Sequence, residues 1–391
     1  MPLTKKQQEY LLNCSHRWNV KTGATGSGKS FVDYTVVIPK RILATRGEGL
    51  LVLLGNTKGT LERNILSPMR EIWTPDLVGE ISSDNTVKIF GKKVYALGAD
   101  NKKHVSRIQG ATFEYVYGDE ITTWAEDVFQ MLKSRMRCEH SRFDGTCNPD
   151  SPQHWFKRFL DSDADVYQQA YVIDDGMLPA NTVAEMKKEY AGTIYYDRFI
   201  LGKWKLAEGL IYPMFRAETH VKELYPEGGR YFISIDYGTY NPFSAGLWVI
   251  LRDGTAYREK EYYYSGRASE SPKTDEEYYM ELEKLAGDRT IERIVIDPSA
   301  SSFITCIKRH NRFRVRHANN DVLGGIRNVA TALNAKRLLF SPDCKDSIRE
   351  FGLYSWDGKS ESDRPIKEND HAMDDIRYFV NTVLRRDLYR S

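Results

Sequence analysis

The feature that most constrains the fold is a glycine-rich stretch near the start of the chain. Gly23 is followed, after four residues, by Gly28, Lys29 and Ser30, which is the full spacing of a phosphate-binding P-loop. Glycines let successive backbone N–H groups turn toward a phosphate, and the helix after the loop adds the positive end of its dipole. Because the motif needs a strand before it and a helix after it, we predict a nucleotide site on an α/β sheet.

The residues of this loop have distinct predicted roles. Lys29 is expected to reach the β- and γ-phosphates, and the Ser30 hydroxyl to ligate Mg²⁺. The flanks agree, since residues 17–22 can form the strand and residues 31–38 the helix, which should stop at Pro39. The loop residues expected to bind nucleotide are Gly23, Gly26, Ser27, Gly28, Lys29 and Ser30.

Two carboxylates follow a later predicted strand. Residues 50–55 and 113–118 are apolar runs typical of buried parallel strands, and Asp119 and Glu120 come directly after the second. A P-loop enzyme needs an acidic residue at the end of a neighbouring strand to hold Mg²⁺, and Asp119 suits that role. Glu120 suits the base that activates the attacking water. An Asp-Glu pair can also cap a helix, but its place downstream of a P-loop favours the catalytic interpretation.

Three further stretches concern the nucleotide itself. Gln7, in a predicted helix before the P-loop, can read an adenine edge or simply face solvent. Asn148, in the strand-to-loop stretch 143–149, can sense the γ-phosphate or belong to a turn. The nearest match to a guanine-binding Asn-Lys-x-Asp motif, residues 101–104, lacks the final aspartate. ATP is therefore the expected nucleotide.

Charge and cysteine content exclude several classes of protein. The chain has 56 Lys and Arg against 54 Asp and Glu, a net charge of +2, which argues against a wholly basic nucleic-acid coat protein but allows a local basic groove. Its 5 cysteines are odd in number and form no CxxC pattern, which predicts reduced thiols without disulfides or a zinc site. A polar start and the lack of a long apolar run predict no membrane association.

Changes in composition divide the chain into segments. We predict a P-loop core at 1–150, a small helical lid over the nucleotide at 151–205, a linker at 206–228 and a second domain at 229–391. The glycines that close the linker mark the start of the second domain. Both domains are expected to be α/β.

Three aspartates mark the second domain. Asp236 ends its first predicted strand, Asp297 ends the fourth, and Asp374 lies on the last helix. The order strand–strand–strand–helix–strand is that of an RNase H-like nuclease. Three such carboxylates can hold two divalent ions about 4 Å apart, which activate water and stabilise the leaving oxygen of a phosphodiester. Oxygen ligands suit Mg²⁺ or Mn²⁺. Single aspartates are common at these places, so the prediction depends on the ordered set.

A basic stretch lies between the second and third of these acids. Residues 308–337 carry eight Lys or Arg residues against Asp321 alone. A solvated face is the usual meaning of such a run. Beside a site that cuts phosphodiesters, it can also track the DNA backbone.

In their order these motifs resemble those of the large subunit of tailed-bacteriophage terminase, the DNA-packaging motor. The resemblance covers the whole chain. The P-loop, the pair Asp119 and Glu120, and residues 146–149 are similar to the family's Walker A, Walker B and coupling motifs. Residues 201–204 and 208–215 are similar to its connector from lid to nuclease.

The resemblance also implies roles for single residues and partners. Gln7 is similar to the family's adenine-reading glutamine, and Asp236, Asp297 and Asp374 to its nuclease acids. ATP hydrolysis would drive double-stranded DNA into a procapsid through a ring on the portal protein, and the nuclease would cut the concatemer. A small terminase subunit would be a further partner, the isolated protein would be a monomer, and the site of action would be the host cytoplasm.

Two positions depart from the family or leave a choice. Many relatives have an arginine where this chain has Thr25, so Lys21 or an arginine from a neighbouring subunit would supply that charge. Asp375 beside Asp374 is a second candidate metal ligand.

Two rival functions share some of these features. A DNA-repair helicase–nuclease has the same chemistry, but the chain is too short for the second ATPase-like lobe that it needs. A non-catalytic, nucleotide-dependent DNA-binding scaffold would not need Glu120 beside Asp119.

Overall fold

The computed structural model describes residues 2–100, 110–239, 241–265, 271–360 and 362–385. The chain divides into two compact units, the first made of Met1–Met186 and Ile194–Leu206, the second of Lys187–Thr193 and Ala207–Ser391. The incomplete guanine motif at 101–104 lies outside the described residues. No helix in the described part of the chain is both long enough and apolar enough to cross a bilayer.

The first unit is built on a sheet of seven described strands in the order β3-β4-β2-β5-β6-β1-β7. Neighbouring strands are parallel except for β3 and β4. The carboxyl ends of β1, β2, β5 and β6 therefore lie along one edge, where α/β sheets bind ligands. The strands are β1 Trp18–Gly23, β2 Leu50–Gly55, β3 Thr86–Ile89, β4 Lys92–Gly98, β5 Phe113–Gly118, β6 Arg142–Cys147 and β7 Val166–Tyr171.

Apolar cores lie on both faces of this sheet. Along β2, Val52 and Leu54 belong to one core cluster, whereas Leu51 and Leu53 belong to the other, as the two-residue period of a strand requires. Because both faces are buried, the strand is continuously apolar in sequence. The helices of this part are α1 Lys5–Asn13, α2 Lys29–Val32, α3 Ile38–Ala44, α4 Lys58–Leu61, α5 Ser67–Trp73, α6 Glu126–Arg135, α7 Trp155–Leu160 and α8 Ala180–Glu189.

The helix after the P-loop does not stop at Pro39 as predicted. After α2 the chain continues through a π-helical segment, Asp33–Val37, directly into α3. Pro39 lies in the first turn of α3, where the missing N–H and the ring are tolerated. The wider π turn before it lets the chain continue as a helix.

The structure also differs from the prediction of a helical segment at 151–205. This segment contributes β7, which pairs in parallel with β1 at the edge of the sheet. Edge strands expose one side and carry polar residues, which explains why the sequence VYQQAY was not recognised as a strand. In addition, Lys187–Thr193 groups with the second unit.

The second unit is built on a sheet of six described strands in the order β12-β11-β8-β9-β10-β13. The pairs β8–β9 and β9–β10 are antiparallel, whereas β8–β11, β11–β12 and β10–β13 are parallel. The first strand of the unit, β8, therefore lies inside the sheet between β9 and β11. The strands are β8 Arg230–Asp236, β9 Phe243–Ile250, β10 Ala256–Tyr264, β11 Ile291–Ile296, β12 Val315–His317 and β13 Leu338–Phe340.

The last helix of the unit packs across the central strands. Phe379 stacks on Trp248 of β9, with ring centroids 4.3 Å apart, and also lies against Phe232 of β8. This packing brings the start of the helix to the end of β8. The helices are α9 Ala217–His220, α10 Asp275–Ala286, α11 Ser301–His310, α12 Val322–Asn334, α13 Lys345–Phe351 and α14 His371–Phe379, which continues as a π-helical segment, Val380–Leu384.

The residues predicted as a linker, 206–228, are part of the second unit from Ala207 onward. Leu210 forms a β-bridge with Ser355, and Val221 forms one with Phe340. The second unit therefore begins before the boundary predicted at residue 229. The broader expectation, α/β architecture in both halves of the chain, is confirmed.

Candidate functional sites

The P-loop leaves β1 at the carboxyl edge of the first sheet. Gly23, Gly26 and Gly28 have φ angles of 133°, 71° and 79°, a region that side chains disfavour. A Cβ on Gly23 would lie 2.0 Å from the carbonyl oxygen of Tyr171 on β7. The loop conformation therefore depends on glycine at these positions.

Lys29 is buried inside this loop. Its Nζ donates to the Gly23 carbonyl oxygen at 3.0 Å, to the Ala24 carbonyl oxygen, and to Asn148 Oδ1 at 3.2 Å. Ser27 Oγ donates to the same Ala24 oxygen at 2.7 Å. Burial lowers the pKa of Lys29 to about 8, because its oxygen partners in the loop are neutral. A phosphate group at this loop would give the ammonium a charged partner.

Asp119 and Ser30 are the candidate Mg²⁺ ligands of this site. Asp119 directly follows β5; its Oδ1 accepts from Thr146 Oγ1 at 2.9 Å and its Oδ2 from Asn64 Nδ2 at 3.1 Å. Burial raises the pKa of Asp119. The hydrogen bonds from Asn64 and Thr146 and the charge of Lys29 oppose this rise in the pKa. Ser30 is half-buried in the first turn of α2.

Glu120 adopts an unusual backbone conformation. Its φ and ψ are 53° and 45°, in the left-handed region that non-glycine residues rarely adopt and that is often found at functional sites. Burial, and then the charge of Asp119, raise the pKa of this half-buried carboxyl. The turn after Glu120 is held by Thr122 Oγ1, which donates to the Asn148 carbonyl oxygen at 3.0 Å. Asn148 therefore touches both Lys29 and the turn that carries the predicted base.

Gln7 is buried directly against the P-loop. Its Nε2 donates to the Gly28 carbonyl oxygen at 2.9 Å, and its Oε1 accepts from the Thr4 N–H at 2.9 Å. The second contact belongs to a capping box at the start of α1. Its position beside the loop agrees with the sequence, whereas its adenine-reading role stays a prediction.

The segment after β7 also packs on the P-loop. Thr25 N–H donates to the Phe199 carbonyl oxygen at 3.0 Å. A Cβ on Gly176 would lie 2.6 Å from the Gly26 carbonyl oxygen. Two separate parts of this segment therefore fix the loop conformation.

Lys21 is unsuited to replace the arginine that relatives have at Thr25. Its Nζ lies 2.6 Å from Asp33 Oδ1, with both side chains fully buried, and 3.7 Å from the ring centroid of Tyr10. Tyr117 donates its hydroxyl to the other Asp33 oxygen at 3.1 Å. Moving the ammonium toward a nucleotide would leave a buried carboxylate without its cation.

The second unit has an open acidic cavity of about 510 Å³ at the end of β8. Asp236 and Asp374 line it together with Asp370, His371 and Lys367. The cavity is therefore formed where the first strand of the sheet meets the start of α14.

Asp236 is held by a histidine of this helix. Its Oδ2 lies 2.8 Å from His371 Nδ1. Burial raises the pKa of Asp236 to about 6, the hydrogen bond with His371 opposes this, and the charge of Asp374 adds to it. Asp374 in turn has Arg377 Nη2 at 2.9 Å from Oδ1 and Lys367 Nζ at 3.8 Å from Oδ2. Three carboxylates, Asp236, Asp370 and Asp374, thus line the cavity, and Asp374 has two cationic side chains close to it.

Asp297 follows β11, the strand beside β8. Its Oδ1 accepts from the Ser299 N–H at 2.7 Å, and its Oδ2 accepts from Tyr378 at 3.3 Å and from Asn320. Burial raises the pKa of Asp297, but the hydrogen bonds from Ser299, Asn320 and Tyr378 outweigh this effect and lower the pKa.

Tyr378 donates its hydroxyl to Asp297 and is influenced by the charges of Asp236 and Asp374. Burial and then the charges of Asp236, Asp374 and Asp297 raise the pKa of the Tyr378 hydroxyl. Among the described residues, the three aspartates do not form a group whose ligand atoms all lie within 4.8 Å of one another. Asp236 and Asp374 line the same cavity, and the strand that Asp236 ends is paired with the strand that Asp297 follows. The three side chains offer only oxygen donors, which suit Mg²⁺ or Mn²⁺.

The structure distinguishes Asp375 from Asp374. Asp375 is fully buried, accepts from Ser234 Oγ at 2.8 Å and from Ser244, and pairs with both terminal nitrogens of Arg258, one at 2.9 Å from Oδ2. Both oxygens of the Asp375 carboxylate accept hydrogen bonds inside the unit, whereas Asp374 lines the cavity.

Comparisons with known proteins agree with this geometry. The sequence family "Terminase large subunit, T4likevirus-type, N-terminal" matches residues 22–219. The structure of a large terminase from a thermophilic bacteriophage is 34% identical and matches with a TM-score of 0.87, covering 98% of this chain and 100% of that chain. The chain belongs to the terminase large-subunit family.

Two further structures of the same thermophilic-phage terminase match as well. The complex with ADP is 34% identical with a TM-score of 0.85, and the complex with ATP-γ-S is 35% identical with a TM-score of 0.84; each covers 98% of this chain and 100% of that chain. A comparison with curated protein sequences gave no match. The structural matches therefore extend over both units of this terminase large subunit.

Breaking the Arg258–Asp375 pair should strongly destabilise this terminase large subunit. Asp375→Asn removes the carboxylate that bonds both terminal nitrogens of the buried Arg258 and leaves Glu261, whose Oε2 lies 3.8 Å away, as the remaining anion. Breaking such a buried pair typically costs about 3–5 kcal/mol. Glu292→Gln is the matched control, because its pair with Arg230 is solvent-exposed and should contribute less than about 1 kcal/mol. Denaturant unfolding followed by circular dichroism measures both losses. Similar losses for the two variants would contradict the assignment of Asp375 as a structural residue.

Several site residues were missed in the sequence. Asn64 donates to Asp119, Asn320 and Tyr378 donate to Asp297, and Lys367 lies near Asp374. They are ordinary polar residues on helices and loops, with no distinctive spacing, so only the fold reveals what they face.

Proposed function

We propose that this terminase large subunit hydrolyses ATP in its first unit to translocate double-stranded DNA and cleaves that DNA in its second unit. The observation that carries the proposal is the meeting of Lys29, Asp119 and Asn148 at the P-loop edge of one sheet, with Glu120 next in the chain. These groups supply what phosphoryl transfer to water needs: cations for the phosphates, a ligand for Mg²⁺, and a base.

Each residue then has one role. Lys29 and the loop N–H groups bind the β- and γ-phosphates, Ser30 and Asp119 hold Mg²⁺, and Glu120 orients and deprotonates the attacking water. When bound, Mg²⁺ neutralises charge on the phosphate oxygens. Asn148, through its contacts with Lys29 and with the turn after Glu120, can report whether the γ-phosphate is present. The thermophilic-phage terminase complexes with ADP and ATP-γ-S support this class of ligand.

The second unit is proposed to be an RNase H-like, metal-dependent endonuclease. The order of β8, β9, β10, α10 and β11 along the chain supports this proposal, since it is the order of elements predicted from the sequence. In the sheet, β8 lies between the antiparallel β9 and the parallel β11. Asp236 and Asp374 line one cavity and Asp297 ends the adjacent strand. Asp236, Asp297 and Asp374 would together hold two Mg²⁺ or Mn²⁺ ions. Such an ion pair supplies a nucleophilic water and stabilises the leaving oxygen.

The proposed setting is genome packaging. A ring of these subunits on the portal protein of a procapsid, in the host cytoplasm, would take concatemeric DNA delivered with a small terminase subunit. An arginine from a neighbouring subunit would supply the charge missing at Thr25, since Lys21 is committed to Asp33.

A packaging assay tests the whole proposal. Procapsids bearing portals, ATP and linear DNA should give nuclease-protected DNA with the wild-type protein and none with Lys29→Ala. A repair helicase–nuclease would instead separate the strands of a forked duplex without protecting it. A scaffold would bind DNA without ATP turnover.

The basic stretch gives a separate prediction for DNA binding. Arg316 lies on β12 and Arg314 directly precedes it, and both side chains are exposed. β12 is the edge strand next to β11, which Asp297 follows. Replacing each with alanine should weaken DNA binding and reduce the slope of log affinity against log salt by roughly one per lost phosphate contact. The measurement is a fluorescence-anisotropy titration at several salt concentrations.

Arg312 is the matched control for this experiment. Its guanidinium already pairs with Glu283 at 3.0 Å and donates to the Gly287 carbonyl oxygen at 2.8 Å. Arg312→Ala should therefore change the salt slope less than the other two substitutions. An unchanged slope for Arg314→Ala and Arg316→Ala would identify the stretch as a solvated face.

A further inference from the structure

A glutamate, a cysteine and a histidine meet at the edge of the first sheet opposite the P-loop. Glu48 lies just before β2, and Cys138 and His140 lie just before β6. One ligand atom from each, an oxygen, a sulfur and a ring nitrogen, all lie within 4.8 Å of one another. Because β2, β5 and β6 are parallel, this amino-terminal edge is remote from Asp119, which follows the carboxyl end of β5.

A buried carboxylate orients this group. Glu114, near the start of β5, has Oε1 3.1 Å from His140 Nε2. Its Oε2 accepts from three consecutive N–H groups of residues 47–49, at 3.0, 3.0 and 3.3 Å. Glu114 therefore fixes both the loop that carries Glu48 and the ring of His140.

The same hydrogen bonds set the tautomer of the histidine. Three backbone N–H groups occupy Glu114 Oε2, and Oε1 faces His140 Nε2 at 3.1 Å. A carboxylate oxygen in this position accepts the Nε2–H of the ring, which leaves the Nδ1 lone pair for a cation. A carboxylate on the far ring nitrogen is the usual support of a metal-binding histidine.

The spacing of the group suits a tetrahedral cation. His140 Nδ1 lies 3.8 Å from Glu48 Oε2. Zinc bonds of about 2.0–2.3 Å place tetrahedral ligands roughly 3.3–3.8 Å apart. Cys138 Sγ lies 3.9 Å from the Glu48 carbonyl oxygen, so the thiol is on the same side as the loop. A sulfur, an imidazole nitrogen and a carboxylate form a donor set that zinc accepts.

We propose that Glu48, Cys138 and His140 bind a zinc ion, with water as the fourth ligand and Glu114 as a positioning residue. The ion ties the loop before β2 to the loop before β6. It stabilises the edge of the ATPase sheet remote from the nucleotide and takes no part in hydrolysis. The site was missed in the sequence because the Cys-x-His pair lacks a second cysteine and Glu48 is far away along the chain.

A second Glu–Cys–His group provides a matched comparison. Glu276, Cys306 and His310 also meet within 4.8 Å. There, however, His310 Nε2 lies only 2.7 Å from Glu276 Oε2, a direct hydrogen bond that a cation would have to break. The ring of His310 is also stacked on Tyr279 at 3.7 Å, which holds it in place. This group is therefore assigned as a hydrogen-bonded histidine–glutamate pair and not as a metal site.

Cobalt binding to the full-length protein tests the proposal. Protein freed of metal with a chelator is titrated with Co²⁺, because a thiolate bound to Co²⁺ gives a charge-transfer absorption that all-oxygen sites do not. The wild-type protein and Cys306→Ser should show this absorption at stoichiometric Co²⁺, and Cys138→Ser should lose it. No absorption in the wild type, or its loss in Cys306→Ser with retention in Cys138→Ser, overturns the proposal.

Zinc competition against bound Co²⁺ tests the remaining residues. Glu114→Gln should keep the absorption at saturation but weaken Zn²⁺ binding about 10- to 100-fold. Glu48→Gln changes a proposed ligand whose side chain is 56% exposed, so this variant should fold normally. It therefore tests the site even if Cys138→Ser fails to fold. It should weaken Zn²⁺ binding at least about 10-fold. Unchanged affinity in both variants also overturns the proposal.

Discussion

Replacing Glu120 with glutamine is expected to stop ATP turnover while leaving ATP binding unchanged. The amide keeps the size and hydrogen-bonding reach of the carboxylate but cannot take a proton from water. Loss of a positioned base typically costs about 10²–10⁴ in rate. Burial and the charge of Asp119 raise the pKa of Glu120, which suits a proton acceptor better than an exposed glutamate would. Phosphate release measures turnover, and a fluorescent ATP analogue measures binding.

Two further variants make the Glu120 result specific. Glu126→Gln removes an exposed carboxylate in the first turn of α6 and should turn over ATP at the wild-type rate. Lys29→Ala should weaken ATP binding itself, because the buried ammonium is the cation within the loop. Wild-type turnover by Glu120→Gln would remove Glu120 from the mechanism and leave the scaffold as the better description of the first unit.

Asp236→Asn is expected to abolish cleavage of plasmid DNA in Mn²⁺ and to leave ATP turnover intact. Asp236 is a proposed metal ligand, since it ends the central strand β8 and shares its cavity with Asp374. Losing even a residue that supports a metal ligand typically costs about 10- to 100-fold, so losing a ligand itself should cost at least about 100-fold. The ATPase control is informative because the P-loop belongs to the other unit.

Variants of Asp374 and Asp375 distinguish the loss of metal binding from the loss of folding stability. Asp374→Asn should also stop cleavage, and it should lower the unfolding midpoint less than Asp375→Asn does, because Asp374 lines the open cavity whereas Asp375 is fully buried. Asp375→Asn should instead lower the unfolding midpoint, because its partner is the buried Arg258. Gel assays of nicking, read beside melting curves of the same samples, distinguish the two effects. If Asp236→Asn still cuts DNA, the second unit is not the nuclease proposed here.

The motifs that lie within one short stretch were predictable from sequence. The P-loop from Gly23 to Ser30 needs glycines at fixed positions because the backbone itself forms the phosphate cradle. The motif can therefore be recognised from a few consecutive residues. The apolar strands at 50–55 and 113–118 were recognisable because strands buried on both faces admit few polar residues. The order of the three proposed nuclease acids along the chain was also predictable, because each lies at the end of a recognisable strand or the start of a recognisable helix.

Features that depend on the packing of segments far apart in the chain were not predictable. β7 was one of these, because it is polar in sequence and pairs on one side only. The continuation of the helix past Pro39 was also not predicted, because it depends on a π turn ahead of the proline. The sequence alone could not assign Asp374 and Asp375, which are adjacent in the chain but point to different surroundings.

The sequence by itself determined which residues are candidates for the proposed chemistry of this terminase large subunit and in what order they lie along the chain. Only the tertiary structure decided that Asp374 faces the cavity while Asp375 pairs with Arg258, that Lys21 is committed to Asp33, and that Glu48 meets Cys138 and His140. The physical reason is that local backbone geometry is specified by neighbouring residues. The partner of a buried charge is instead specified by strand pairing and helix packing between segments far apart in the chain.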